Sequence, residues 1–260
     1  MRYLALASDF DGTLATHGTV PELTLDAVNQ LRRSGRKFLL VTGRRLEELL
    51  EVFPAVEICD MVVVENGALL YNPATGEERR LAAEPPAGFV EELRRRGVER
   101  VERGRSIVAT WEPYEKIVLE VIRDFAIEWQ IILNKGAVMI LPAGVDKALG
   151  LRSALKELGL SPHNTVGIGD AENDEAFLRE CECGVAVANA LDSLKDRADL
   201  VTERTHGDGV VEVIHRLIAT DLDELALARL GTPLGPAPGG GEFLLPAYGG
   251  EASRNQSDCE

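Results

Sequence analysis

The sequence predicts an α/β protein, a doubly wound, Rossmann-like parallel sheet interrupted by a small inserted α+β domain. Three observations carry this. Short apolar runs alternate with amphipathic helical stretches over residues 1–82 and again over 144–220. Polar clusters rich in Asp, Gly and Thr follow the ends of those runs, where an open parallel sheet binds ligands. Between the two halves, residues 83–143 change rhythm. Pro85-Pro86-Ala87-Gly88 and Pro142-Ala143-Gly144 bracket them as two linkers around an insertion would.

The elements follow in order. Tyr3-Leu4-Ala5-Leu6-Ala7 is short and apolar, so residues 3–8 read as a buried strand with an exposed C-terminal end. A helix is expected over 22–34, a strand over 38–41, a helix over 45–52 and a strand over 61–64. Asn66-Gly67 then reads as a hairpin turn into an apolar segment over 69–71. In the insertion, helices are expected over 88–96 and 114–125. Strands are expected over 106–111, 129–133 and 138–141, with a turn at Asn134-Lys135-Gly136. Alternation resumes with a helix over 147–158, whose Leu151, Leu155 and Leu158 mark one face. A strand over 165–168, a helix over 173–179 and a strand over 184–187 follow. The last helix, over 209–218, carries Val210, Val213, Ile214 and Leu217 on one stripe. From residue 221 to 260 the periodicity stops. Eleven of the twenty residues from Gly231 to Gly250 are Gly or Pro, the composition of a linker or poorly ordered extension.

Composition bounds the function. A net charge of −15 argues against a general role on nucleic acid or anionic membranes. It also opposes long-range attraction of a phosphorylated ligand, which leaves that task to local cations such as Arg44 and Lys147. No apolar run approaches the ~20 residues that span a bilayer, and the stretch after Arg2 is too short for a signal peptide, so a cytoplasmic protein is expected. Cys59, Cys181, Cys183 and Cys259 lack zinc spacing and read as reduced thiols. The histidines show no ligand pattern, and His206, close to a helix start, reads as a loop residue rather than a proton shuttle.

The chemistry lies in four polar clusters. Asp9-Phe10-Asp11-Gly12-Thr13-Leu14 follows the first strand. If strand geometry persists to residue 11, Asp9 and Asp11 share a face and Phe10 turns into the core. Two carboxylates so placed repel unless a cation sits between them. Gly12 permits a sharp turn that brings backbone N–H groups close to a ligand. Thr42-Gly43-Arg44 follows the second strand, Lys147 opens a helix, and Gly169-Asp170-Ala171-Glu172-Asn173-Asp174 follows a third apolar run. Turn and cap chemistry offers plainer roles for Thr42, Asp174 and Lys147 one at a time. Four clusters in this order are harder to explain that way.

These residues resemble the haloacid dehalogenase superfamily of phosphotransferases, in its Cof-type branch (subfamily IIB), over roughly residues 1–218. Asp9 and Asp11 match the first motif, Thr42 the second, Lys147 the third, and Asp170 with Asp174 the fourth. The resemblance implies a cap domain at 83–143, similar in its short length to the caps of phosphoglycolate, sucrose-phosphate and mannosyl-phosphoglycerate phosphatases. It implies a Mg²⁺-dependent phosphatase acting on a small phosphorylated metabolite. Asp9 would be the nucleophile and Asp11 the general acid and base, with Thr42 and Lys147 completing the catalytic set. Asp9, Asp11 (through its carbonyl), Asp170 and Asp174 would serve the metal, with Asp174 and Asn173 also orienting waters or Lys147. Gly12, Thr42, Gly43, Arg44, Lys147 and Asn173 would contact phosphate or substrate. A phosphomutase of the same superfamily and a non-catalytic ligand-sensing module are the competing readings. Arg103, Arg105, Trp111, Glu112 and Lys135 are the cap residues from which substrate contacts are expected.

Overall fold

The computed structural model describes residues 1–223 other than Lys135. Expectations for Lys135, for Cys259 and for the extension from residue 224 onward lie outside the described residues.

One sheet has eight strands. In chain order these are β1 (Ala5–Ser8), β2 (Lys37–Val41), β3 (Met61–Val64), β4 (Leu69–Asn72) and β5 (Glu77–Arg80). The four strands of the inserted sheet are β6 (Glu102–Arg103), β7 (Val108–Trp111), β8 (Trp129–Asn134) and β9 (Ala137–Pro142). The chain then returns to the first sheet with β10 (Thr165–Gly169), β11 (Cys183–Ala186) and β12 (Leu200–Val201). The first sheet runs β12-β11-β10-β1-β2-β3-β4-β5, parallel from β12 to β3 and antiparallel at β4 and β5. Strands β1, β2 and β3 step outward one way, and β10, β11 and β12 step outward the other. The order therefore reverses beside β1, and a crevice opens at the carboxyl ends of β1, β2 and β10.

Helices α1 (Glu22–Arg33), α2 (Leu46–Val52), α5 (Lys147–Glu157), α6 (Glu175–Glu180), α7 (Asp192–Lys195) and α8 (His206–Thr220) flank this sheet, and α3 (Phe89–Arg95) and α4 (Glu115–Asp124) belong to the insertion. α1 packs on α8 and α5 on α6. Every residue of β1, β3, β10 and β11 is buried, which explains their continuous apolar runs. β5, Glu77-Glu78-Arg79-Arg80, is wholly exposed at the sheet edge and gave no apolar signal. Such charges blunt an edge against further pairing.

The inserted sheet is antiparallel, in the order β6-β7-β9-β8. Period-2 alternation divides its faces. Val108, Val138 and Ile140 pack against Phe89, Leu93, Val118 and Val121 of α3 and α4. Ile107, Met139 and Leu141 join Ala68 and Val145 of the main sheet's side. The second face is thus the ceiling over the crevice.

Two expectations are adjusted. β1 ends at Ser8, and residues 10–13 turn. His206 opens α8 rather than lying in a loop. As expected, Asn66-Gly67 lies in the turn of an antiparallel hairpin, between β3 and β4, with Asn66 at φ 54° and Gly67 at φ 101°. Cys59, Cys181 and Cys183 are buried and form no disulfide. No helix among the described residues is long and apolar enough to cross a membrane.

Candidate active site

The crevice narrows to a cavity of about 210 Å³, with Asp9, Asp11, Thr42, Gly43 and Arg44 below and Trp111, Asn134, Ala137 and Met139 above. Asp9 stands immediately after β1 and is nearly buried, at 4% exposure. Its Oδ1 accepts a hydrogen bond from Lys147 Nζ, which also donates to Asp174 Oδ1 at 2.5 Å. Asp174 Oδ2 accepts in turn from the backbone N–H groups of Asp170 and Ala171, both at 2.9 Å. Asp9, Asp170 and Asp174 bring their carboxylates within 4.8 Å of one another.

The electrostatics follow from burial. Loss of water and the Asp174 carboxylate push Asp9 up, to about 8, while Lys147 pulls the other way. Burial works against a charge on Lys147, yet the Asp174 and Asp9 carboxylates hold it above the ordinary lysine range. Three carboxylates face one ammonium, so the cluster carries an excess of negative charge when ionised. Hard carboxylate oxygens with excess charge fit a hard divalent cation such as Mg²⁺.

Lys147 reaches this position because α5 starts very close to the turn after β3. A Cβ on Gly67 would lie 1.8 Å from the Asp146 carbonyl oxygen, and one on Gly150 would lie 2.7 Å from Gly67 Cα and 2.3 Å from Val63 Cγ1. Asp146 caps the helix, accepting from Leu149 N–H at 2.8 Å. Asn66-Gly67, read from sequence only as a turn, thus seats the helix that carries Lys147.

The other expected residues take varied positions. Asp11 also borders the cavity, but its carboxylate is gripped in a fork by Arg44: Nε to Oδ2 at 2.6 Å and Nη2 to Oδ1 at 2.8 Å. Arg44 Nη1 adds Glu48 at 2.9 Å. Thr42 is buried, and its hydroxyl accepts from Arg44 N–H at 3.2 Å. Gly43 is roofed by Met139, whose Cε would be 2.6 Å from a Cβ there. Gly12 takes φ 92°, and its carbonyl accepts from Asn189 Nδ2 at 2.8 Å. Asn173 donates to Asn66 Oδ1 at 3.3 Å. Of the expected cap residues, Trp111 lines the cavity. Arg103 turns toward Glu84 and Arg105 toward Glu47 and Glu78. Sequence reasoning missed Arg45, Glu48, Glu102 and Asn134 on the walls, because membership depends on how the inserted sheet docks.

Comparison with known proteins agrees with this geometry. The family model for haloacid dehalogenase-like hydrolases matches residues 6–100 and 107–214. A phosphoglycolate phosphatase of Methanothermobacter thermautotrophicus is 30% identical over 225 residues, covering 82% of this chain and 98% of that protein. A Thermoplasma acidophilum structure superposes with a TM-score of 0.71 at 17% identity, over 83% of this chain and 98% of its own. A Plasmodium vivax haloacid dehalogenase/Cof-like hydrolase does so with a TM-score of 0.70 at 21% identity, over 85% and 96%. Motifs, sheet order and family match converge: this chain belongs to the haloacid dehalogenase-like hydrolases, in their Cof-type branch, and is a phosphatase of that family.

Proposed function

We propose that this protein is a Mg²⁺-dependent phosphatase that hydrolyses a small phosphomonoester, of the phosphoglycolate or sugar-phosphate class, through an aspartyl-phosphate on Asp9. The observation that carries this reading is the Asp9 carboxylate at the floor of a small cavity, with one oxygen held by Lys147 and two further carboxylates beside it. The size of the cavity and the phosphoglycolate phosphatase among the relatives both support a compact substrate.

With Oδ1 tied to Lys147, Oδ2 is the oxygen that attacks phosphorus, forming the Asp9–phosphoryl bond as the ester P–O bond breaks. Asp11 donates a proton to the departing alkoxide and later takes one from the water that hydrolyses the intermediate. Both tasks require Asp11 to leave the Arg44 fork. Lys147, the Thr42 hydroxyl and the Gly43 N–H stabilise charge on the phosphoryl oxygens. Asp9, Asp170 and Asp174 would hold the Mg²⁺, which when bound neutralises charge between nucleophile and phosphate. The segments 1–82 and 144–220 act as the core, and 83–143 acts as a cap whose ceiling excludes water.

The test is turnover of 2-phosphoglycolate, sugar phosphates and an aryl phosphate by the purified protein, with Mg²⁺ and with chelator. Activity should vanish with chelator, and Asp9→Asn should lower it more than about 10³-fold with the fold intact. Turnover by Asp9→Asn at the wild-type rate would remove Asp9 from the nucleophile role.

A further inference from the structure

The two arginines at the start of α2 are used differently. Arg44 is fully engaged by Asp11 and Glu48. Arg45, beside it on the cavity wall, donates only Nη2, to Glu102 Oε2 at 2.9 Å. Its Nε lies 4.0 Å from Glu48 Oε2, too far for a hydrogen bond, and is buried without a partner. Asn134 Oδ1, on another wall of the same cavity, is also buried and unpartnered. A buried donor left unmade is costly, and a guanidinium fork matches a carboxylate.

Glu102 is itself a carboxylate on that guanidinium, and it has a second cation in reserve. Arg100 Nε and Nη2 both approach Glu102 Oε1 at 3.3 Å. Glu102 can therefore release Arg45 and remain neutralised. The ceiling nearby, Ile107, Ala109, Trp111 and Met139, offers apolar surface, and the Arg100 guanidinium lies over the Trp111 ring, 3.2 Å from its centre, while engaging Glu102.

We propose that Arg45 is the residue that reads the substrate end remote from the phosphoryl group, and that this end is a carboxylate taken in exchange for Glu102. The assignment rests on the phosphatase reading above and narrows its substrate class to short phosphorylated acids.

The experiment compares kcat and KM for 2-phosphoglycolate and for 2-hydroxyethyl phosphate, which replaces the carboxylate by a hydroxymethyl group of similar length. Wild type should prefer the acid. Arg45→Met should shrink that preference roughly 10- to 100-fold, mainly through KM for the acid. Glu102→Gln, which weakens the internal competitor, should lower KM for the acid several-fold without helping the neutral ester. If Arg45→Met does not fold, the direction of the Glu102→Gln change decides. An unchanged preference in Arg45→Met, or a raised KM for the acid in Glu102→Gln, overturns the assignment. Aryl-phosphate turnover by wild type without preference for the acid overturns this assignment alone. Absence of any phosphomonoester turnover overturns the phosphatase reading and takes this with it.

Discussion

Asp9 and Glu65 stand after β1 and β3, both nearly or fully buried, and the protein deals with their charges in opposite ways. Glu65 is satisfied by main chain: Oε1 accepts from Arg105 N–H at 2.7 Å and Oε2 from Ser106 N–H at 2.8 Å. Those donors lie in the turn between β6 and β7, so they cannot move without moving that hairpin of the inserted sheet. Gly104 is needed there because a Cβ would lie 2.4 Å from Glu65 Oε1. Asp9 is instead satisfied by one side chain, Lys147, which it shares with Asp174 beside an open cavity. Fixed donors that exhaust a carboxylate make a structural anchor. A shared cation that leaves negative charge over suits the reactive role proposed for Asp9.

The largest effect should come from removing that shared cation. Lys147→Met keeps much of the volume but leaves Asp9 and Asp174 facing each other in a buried space. Breaking a buried pair in this way costs on the order of 3–5 kcal/mol, to be read from urea unfolding in chelator. The variant should also lose phosphatase activity. Unchanged stability would mean that the two carboxylates do not depend on Lys147 for their charge, and the contrast with Glu65 would fail.

A pH series sharpens the contrast next. Asp9 is raised in the folded protein to about 8 from its ordinary 3.8, chiefly by burial and Asp174. A raised carboxyl binds its proton more tightly when folded. Its contribution to stability is therefore complete below about pH 4 and is lost as pH climbs through about 8. In chelator, the melting midpoint should fall between these limits, by about 2–4 °C for each kcal/mol lost. Mg²⁺ should offset the fall, increasingly so as pH rises, and Asp9→Asn should flatten it. Glu65 is also raised, by burial against the pull of its backbone donors. That part of the slope should persist with Mg²⁺. A slope indifferent to both Mg²⁺ and Asp9→Asn would place the sensitive group elsewhere.

The same contrast explains what was legible in the sequence. Strands buried on both faces announce themselves, and β3 lies on the residues that apolar content indicates. The edge strand β5 and the two-residue strands β6 and β12 carry no such signal. Acids at the carboxyl ends of β1 and β10 are readable because topology puts them at the crevice whatever else the chain does. Asp9 and Asp11 do share the cavity and Phe10 does turn into the core, although the chain leaves strand geometry after Ser8 and Arg44 holds the Asp11 carboxylate, which the sequence did not show. Glu65 was passed over because its partners, Arg105 and Ser106, are 40 and 41 residues away. The ceiling residues were unreadable for a related reason. Alternation shows that a strand has two faces, but docking decides which one meets the core.

The smallest effect expected is at Glu65 itself. Glu65→Gln is nearly isosteric, but it replaces one acceptor oxygen by an NH₂ group, so either Arg105 N–H or Ser106 N–H loses its partner. A buried donor left unmade costs about 1–3 kcal/mol. Much of that cost can be relieved by local opening of the β6–β7 turn, so global stability should fall by less. Amide exchange at residues 104–107 should quicken, while exchange in β1 and β10 stays as slow as before. Phosphatase turnover should retain its chelator sensitivity, because the Asp9–Lys147–Asp174 cluster is untouched. If Glu65→Gln instead slowed catalysis as much as Lys147→Met, the division between an anchoring carboxylate and a reacting one would be false, and Glu65 would have to be counted within the site.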